Sequence, residues 1–406
     1  MQEFIAVFVS FISIPILSKK NVPIGLAICI CAIVMAFIGG LGLTTSYEIL
    51  RETFTNFNKI QQYIIIMEVG ILGVLLRKYK IIDNVINYLT MIVSSRRITL
   101  MSIPALVGLL SVPGGAIISA PFVDKMGEES NISNTKKAII NIVYRHISMH
   151  IMPYTSGFLL VASLAPQISI YKLIGLNIIF VILYCVIGYF LYIREIRNDK
   201  NNHKGLFWPN LINLLKYTSP VYTAVILNLF LKVPFYLGLL VNLFIIFLLH
   251  PKKTFLFDVA KSVNFKILFS LIGVYLIQGV IGEMESLTNF LSLIFSNPDT
   301  IIFGIVTVSF FFGMTTGFQP TALGVVLPIL TSLPLSGSQL LFYCHFTFIW
   351  GFVGYFFSPL HLCQLFTCIY LKVSNGELYK EYWKFFLSLV VVLIINYLFL
   401  GIWLNK

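Results

Sequence analysis

The chain has 406 residues, of which 58% are hydrophobic and 11% charged, with a mean hydropathy of +0.91. A typical soluble domain carries about 25% charged residues, so a water-soluble fold of this size is excluded. The formal net charge is +12, but the basic residues sit in short connections between apolar runs, a pattern of membrane topology and not of nucleic-acid binding.

In chain order, the first apolar run, Phe4 to Leu17, lacks a basic leader and a small-residue cleavage site. It reads as a retained helix and not as a signal peptide. A spanning helix needs about 20 mostly apolar residues. Ten stretches meet this: 3–18, 21–39, 60–77, 136–164, 170–193, 211–231, 233–250, 265–282, 338–370 and 382–404. Two of them, 136–164 and 338–370, are long and contain a proline, which predicts helices broken in mid-membrane. Two further apolar stretches, 98–124 and 300–332, have Gly, Pro, Ser or Thr at their centres. Each predicts a helix, a tight turn and a second short helix, that is, a re-entrant hairpin. The polar stretch 194–209 is a cytoplasmic linker between two halves, 1–193 and 210–406. The six cysteines, Cys29, Cys31, Cys185, Cys344, Cys363 and Cys368, lie in or at the ends of apolar runs and form no paired metal-ligand spacing. They read as small packing residues.

Charge fixes the orientation. With both termini outside and both hairpins returning to the side they came from, the inside connections hold 22 of the 28 basic residues. Five remain outside, and Arg145 is left within the membrane. This strong bias predicts a multi-pass protein of the cell membrane. The chain also repeats at an offset of 206–207 residues. Lys59 matches Lys266, Pro113 and Pro121 match Pro320 and Pro328, and Pro153 matches Pro359. Each half then has five spans and one hairpin, an odd number of crossings, so the two repeats are inverted. The predicted fold is therefore an all-α membrane protein of two inverted repeats, with about ten transmembrane helices, two opposed re-entrant hairpins and two broken helices. Inverted repeats with broken elements at the midplane mark secondary transporters.

This pattern resembles the ion transporter superfamily, which includes sodium-coupled dicarboxylate symporters, citrate and gluconate carriers and arsenite permeases. More closely, SVPGGAIISAP at 111–121, YRH at 144–146 and SPLHLC at 358–363 resemble an uncharacterised prokaryotic membrane family, the domain of unknown function numbered four-zero-one. The superfamily resemblance implies an elevator-like transport domain and a homodimer. The Ser-Asn-Thr motif of the dicarboxylate carriers is missing from both hairpin tips here, so the resemblance does not carry over their sodium site or their substrate.

The candidate site is read from the polar residues at the breaks. At the tips these are Ser111, Pro113, Gly114 and Gly115, and Thr315, Thr316, Gln319, Pro320 and Thr321. Proline early in a short helix leaves free N–H groups behind it that suit an anion. The competing reading is close helix packing by small residues. Arg145, His146, Ser358 and His361 join them as candidate solute ligands. Glu68, Asn141, His150 and His345 are candidates for ion or proton coupling, because an intramembrane carboxylate is a functional candidate by default and imidazole can handle protons; a hydrogen-bonded structural role is the competing reading of the histidines. Glu68 is alternatively the counter-ion of Arg145. His146 and His150 share a helix face, but no HExxH pattern and no third ligand accompany them in sequence, so no metal and no cofactor is expected. The expected function is secondary active transport, by elevator-type alternating access, of a small anionic solute, coupled to sodium or protons, with the lipid bilayer as surroundings. The alternative is an ion or proton antiporter, or a channel, without organic substrate. An enzyme is not expected, since GxSxG, paired aspartates and HExxH are all missing.

Overall fold

The computed structural model of the chain describes residues 2–109, 116–198, 206–297 and 300–404. Among these residues the chain is helical throughout, with no strand. The first half runs α1 (Gln2–Lys19), α2 (Ile24–Gly39), α3 (Leu43–Thr55), α4 (Phe57–Lys78), α5 (Ile81–Ile92), α6 (Arg96–Leu109), α7 (Ala116–Glu128), α8 (Asn134–Arg145), α9 (Ser156–Leu164) and α10 (Ile170–Gly188). A 3-10 turn, His146–His150, follows α8, and a π-helical turn, Tyr189–Ile193, follows α10. The second half runs α11 (Phe207–Leu231), α12 (Phe235–Leu249), α13 (Phe255–Lys261), α14 (Lys266–Gly282), α15 (Glu285–Ser296), α16 (Ile301–Thr316), α17 (Gln319–Ser332), α18 (Gly337–Phe356), α19 (Leu362–Leu371) and α20 (Asn375–Leu404).

Local chemistry places the helix starts. Asn56 caps α4, its side-chain oxygen accepting from the N–H groups of Asn58 and Lys59 at 3.0 and 3.3 Å. Ser133 caps α8 through the Lys136 N–H at 3.3 Å. Ser336 and Gln339 cap α18 reciprocally, which satisfies two donors that the first turn would otherwise leave open.

Among the described residues, five helices are long and apolar enough to cross a membrane: α1, α4, α10 with its π turn, α11 and α20. A sixth span arises if α14 and α15, bent by 89° at their junction, count as one. The remaining apolar helices are shorter. Of the ten stretches read from hydropathy, 21–39, 233–250 and 265–282 yield helices of 16, 15 and 17 residues. The stretches 136–164 and 338–370 are each divided at a proline. Hydropathy also passed over α3, α5, α13 and α15. These are short helices in the connections, and a criterion based on apolar length does not register them.

Burial separates an inner from an outer set. The described parts of α8, α17 and α18 are buried along most of their length. In contrast, α1, α11 and α20 turn Phe8, Ile12, Phe230, Leu231, Ile394 and Phe399 outward, as lipid-facing helices do. Lipid tails are as apolar as leucine, so close packing and not water exclusion must hold such helices together. Small residues allow it. A Cβ at Gly108 of α6 would lie 2.1 Å from the Arg145 carbonyl oxygen of α8, and one at Gly313 of α16 would lie 2.3 Å from the Gly351 carbonyl oxygen of α18. Neither crossing has room for a side chain.

The packing is reciprocal between the halves. α2 lies on α14 and α12 lies on α4. α1 touches α15 and α11 touches α5. α6 crosses α8 as α16 crosses α18, and α7 lies against α19 as α17 lies against α9. One contact outside the membrane helices also joins the halves. Lys78, at the end of α4, pairs with Asp258 of α13 at 2.8 Å, and the Tyr79 hydroxyl donates to the same carboxylate at 2.8 Å. The hydrogen bond from Lys78, then that from Tyr79, lowers the Asp258 pKa below its ordinary value. A depressed carboxylate contributes stability above its unfolded pKa of about 3.9 and loses it as pH falls through the lower folded value. Asp258→Asn is therefore expected to lower the melting temperature at pH 6, with the gap to wild type closing as pH falls below that folded value. Thermal unfolding in detergent across pH 6 to 3 measures this; a gap independent of pH would remove the role of the ionised pair.

Candidate functional site

The site is built where three helix interruptions meet. After α8, the 3-10 turn leads into an irregular segment, Ile151–Thr155, around Pro153. Proline has no N–H to continue the ladder, and it disfavours helix at the residue before it. α18 likewise stops at Phe356, and Phe357–His361 around Pro359 precede α19. α16 ends on Gly317, whose φ of 59° is left-handed, and α17 begins at Gln319 with Pro320 in its first turn. The other tip residues singled out in sequence, Ser111, Pro113, Gly114 and Gly115, lie outside the described residues.

The α16–α17 tip touches the second interruption and the start of α9. At Gly317 a Cβ would meet Leu360 Cβ at 2.7 Å and the Leu360 carbonyl carbon at 2.9 Å. Ser358 ties the same segment to α16, donating to the Met314 carbonyl at 2.6 Å and accepting from the Leu360 N–H at 3.1 Å. Gln319 donates through Nε2 to the Phe348 carbonyl at 2.8 Å. Its Oε1 faces Gly157, where a Cβ would lie 3.1 Å away. That oxygen and the Thr321 hydroxyl are buried with no hydrogen-bond partner among the described residues. Thr315 and Thr316 donate to the Phe311 and Phe312 carbonyls of their own helix at 2.8 and 2.6 Å, so their hydroxyls also serve the helix end. Asn141 of α8 donates to the Ala116 carbonyl at 3.2 Å and to Thr367 Oγ1 at 3.0 Å. Its Oδ1 has no partner among the described residues.

The four candidate histidines fall into three environments. His146 and His361 meet directly, Nε2 to Nε2, at 3.0 Å. His146 Nδ1 donates to the Ile142 carbonyl at 2.6 Å, and His361 Nδ1 to the Phe356 carbonyl at 3.1 Å. Tyr355 stands 3.3 Å from His146 Nε2, and Cys363 Sγ lies within 4.8 Å of both rings' ligand nitrogens. Arg145 is close enough to Cys363 and Tyr355 to interact with both. His150 sits apart in an aromatic box, 4.3, 4.9 and 5.9 Å from the Phe352, Phe180 and Phe348 ring centres. Neither of its ring nitrogens has a partner among the described residues. His345 is spent on structure. It donates through Nδ1 to Asn177 Oδ1 at 2.8 Å and accepts at Nε2 from Asn396 at 3.2 Å, joining α18 to α10 and α20.

Glu68 is buried in α4, with Oε2 unpartnered among the described residues. Two participants escaped the sequence reading, Tyr355 and Cys363. Cys363 follows His361 by two residues at the start of α19, which was the available signal; burial in an apolar run hid it among the packing cysteines.

The match to known families decides the kinship. A family model for a protein of unknown function, DUF401, matches residues 3–403. The chain belongs to the DUF401 family. Comparison with curated proteins gives no match. The family description assigns no activity, so function is argued from the geometry of these interruptions.

Proposed function

We propose that the chain is a secondary active transporter that carries a small anionic solute by elevator-type alternating access, with both hairpins and both broken helices as the moving part. One observation carries the proposal: the reciprocal packing of the two halves around paired helix interruptions. Corresponding helices make corresponding contacts, down to Gly108 against Arg145 and Gly313 against Gly351. That is the packing expected of two inverted repeats, which place their site at the repeat interface near the midplane. Non-helical backbone at membrane depth is tolerated where protein or a wet cavity satisfies it. In this reading α6–α7 and α16–α17 are re-entrant hairpins of opposite approach, both termini face outward, and the protein works as a homodimer in the cell membrane.

Arg145 supplies the reason for an anion. It is buried beside the interruptions, and its guanidinium is always charged. The oxygens of Asn141 and Gln319 that have no partner among the described residues favour sodium as the coupling ion, since hard cations take oxygen ligands. Purified protein in liposomes tests the reading. Saturable counterflow of a labelled carboxylate or oxyanion, stimulated by a sodium gradient, is the expected result. Single-channel conductance without counterflow would establish a channel, and turnover without flux an enzyme; either outcome ends the transporter reading.

A further inference from the structure

The facing of His146 and His361 poses a chemical problem. A backbone carbonyl can only accept, so each Nδ1 must carry the proton it donates to Ile142 or Phe356. A neutral imidazole then has only a lone pair at Nε2. Two such lone pairs face one another at 3.0 Å, an arrangement that repels unless a proton or a metal cation lies between them. The Tyr355 hydroxyl could donate to one of them, but at 3.3 Å it lies beyond the usual O–H donor range, about 2.5–3.0 Å. A single shared proton would make one ring an imidazolium in a buried site, a state that histidine NMR distinguishes from a bound metal.

A metal ion resolves the conflict. Metal-bound histidines characteristically donate their other ring N–H to a carbonyl or carboxylate, which fixes the tautomer and aims the lone pair. Both rings have this arrangement here. The third ligand is at hand in Cys363, a soft donor that becomes an anion on binding and offsets part of the cation's charge. In a tetrahedral zinc site, bonds of about 2.0–2.1 Å to nitrogen and 2.3 Å to sulfur put the nitrogens about 3.3 Å apart and sulfur about 3.6 Å from each. The rings would open by a few tenths of an ångström and the thiol, within 4.8 Å, would close in. The ligands come from the turn after α8 and from the start of α19, 215 residues apart for the histidine pair. One ion would therefore clamp the two interruptions together.

We propose that His146, His361 and Cys363 bind one thiophilic d10 cation, Zn2+ or Cu+, per chain. Thiolate with imidazole selects these two among the common metals. The assignment does not depend on transport, because binding is read at equilibrium. Full-length protein, purified in detergent, is titrated with Zn2+ and separately with Cu+ against a chromophoric chelator, and with Co2+ as a spectroscopic stand-in for zinc. The expected result is one ion per chain and, with Co2+, a sulfur-to-metal charge-transfer band. Cys363→Ser should remove the band, and both Cys363→Ser and His361→Gln should weaken binding by about 100-fold or more. Cys344→Ser, a buried cysteine outside the cluster, should change neither. Gel filtration of each variant verifies folding. The higher-affinity titration identifies the ion. Absence of stoichiometric binding in the wild type, or wild-type affinity in both cluster variants, would overturn the site, as would a histidine NMR signal of a shared proton that persists when metal is supplied.

Discussion

Gly317→Val is expected to destabilise the protein by about 2–5 kcal/mol, from a left-handed backbone penalty of roughly 1–2 kcal/mol and overpacking of roughly 1–3 kcal/mol. Two independent features converge on this residue. Its φ of 59° is one that a β-branched side chain resists strongly. Its Cβ would also fall 2.7–2.9 Å from Leu360, including main-chain atoms that no rotamer change can move away. The tip and the Phe357–His361 segment would have to separate, and the Ser358 bridge to Met314 would open with them. Gly337→Val is the control, since a Cβ there meets nothing within 4 Å. Unfolding of both variants in mixed micelles gives the comparison. A Gly317→Val protein as stable as the control would mean that the tip does not pack on Leu360.

Arg145→Lys is expected to weaken anion binding by about 10–100-fold, the equivalent of the roughly 1.5–3 kcal/mol of a hydrogen bond to a charged group. Lysine keeps the charge but not the planar fork that holds a carboxylate or oxyanion by two parallel bonds. The position is buried, and its carbonyl packs against Gly108, but the backbone is the same for either side chain, so folding should survive. A thermal-shift series over carboxylates and inorganic oxyanions, with and without sodium, ranks binding for both proteins. Counterflow in liposomes then relates binding to flux. Glu68→Gln is the companion variant. As a coupling group and not a solute ligand, it is expected to leave anion affinity intact while altering ion coupling. Normal anion affinity in Arg145→Lys would strip the anionic solute of its main support.

Features that are local in the chain are legible in its amino-acid order. Apolar length sets the membrane class, because a bilayer demands about 20 apolar residues of each span. Pro153 and Pro359 mark the interruptions, because a missing N–H acts on its own helix wherever that helix sits. The second tip was legible for the same reason: Gly317 and Pro320 are turn and helix-start residues in any context. Only the tertiary structure decided which of these polar groups meet. His146 and His361 face each other across 215 residues of sequence, and His345 is committed to two asparagines on other helices. Cys363 became a candidate ligand and not a packing residue by the same placement. Such pairings follow from how closely helices cross, and those crossings are set at Gly108 and Gly313 by backbone atoms of distant segments. A hydropathy pattern carries no record of that geometry, because the same apolar run is compatible with many registers against its neighbours, and only mutual packing selects one.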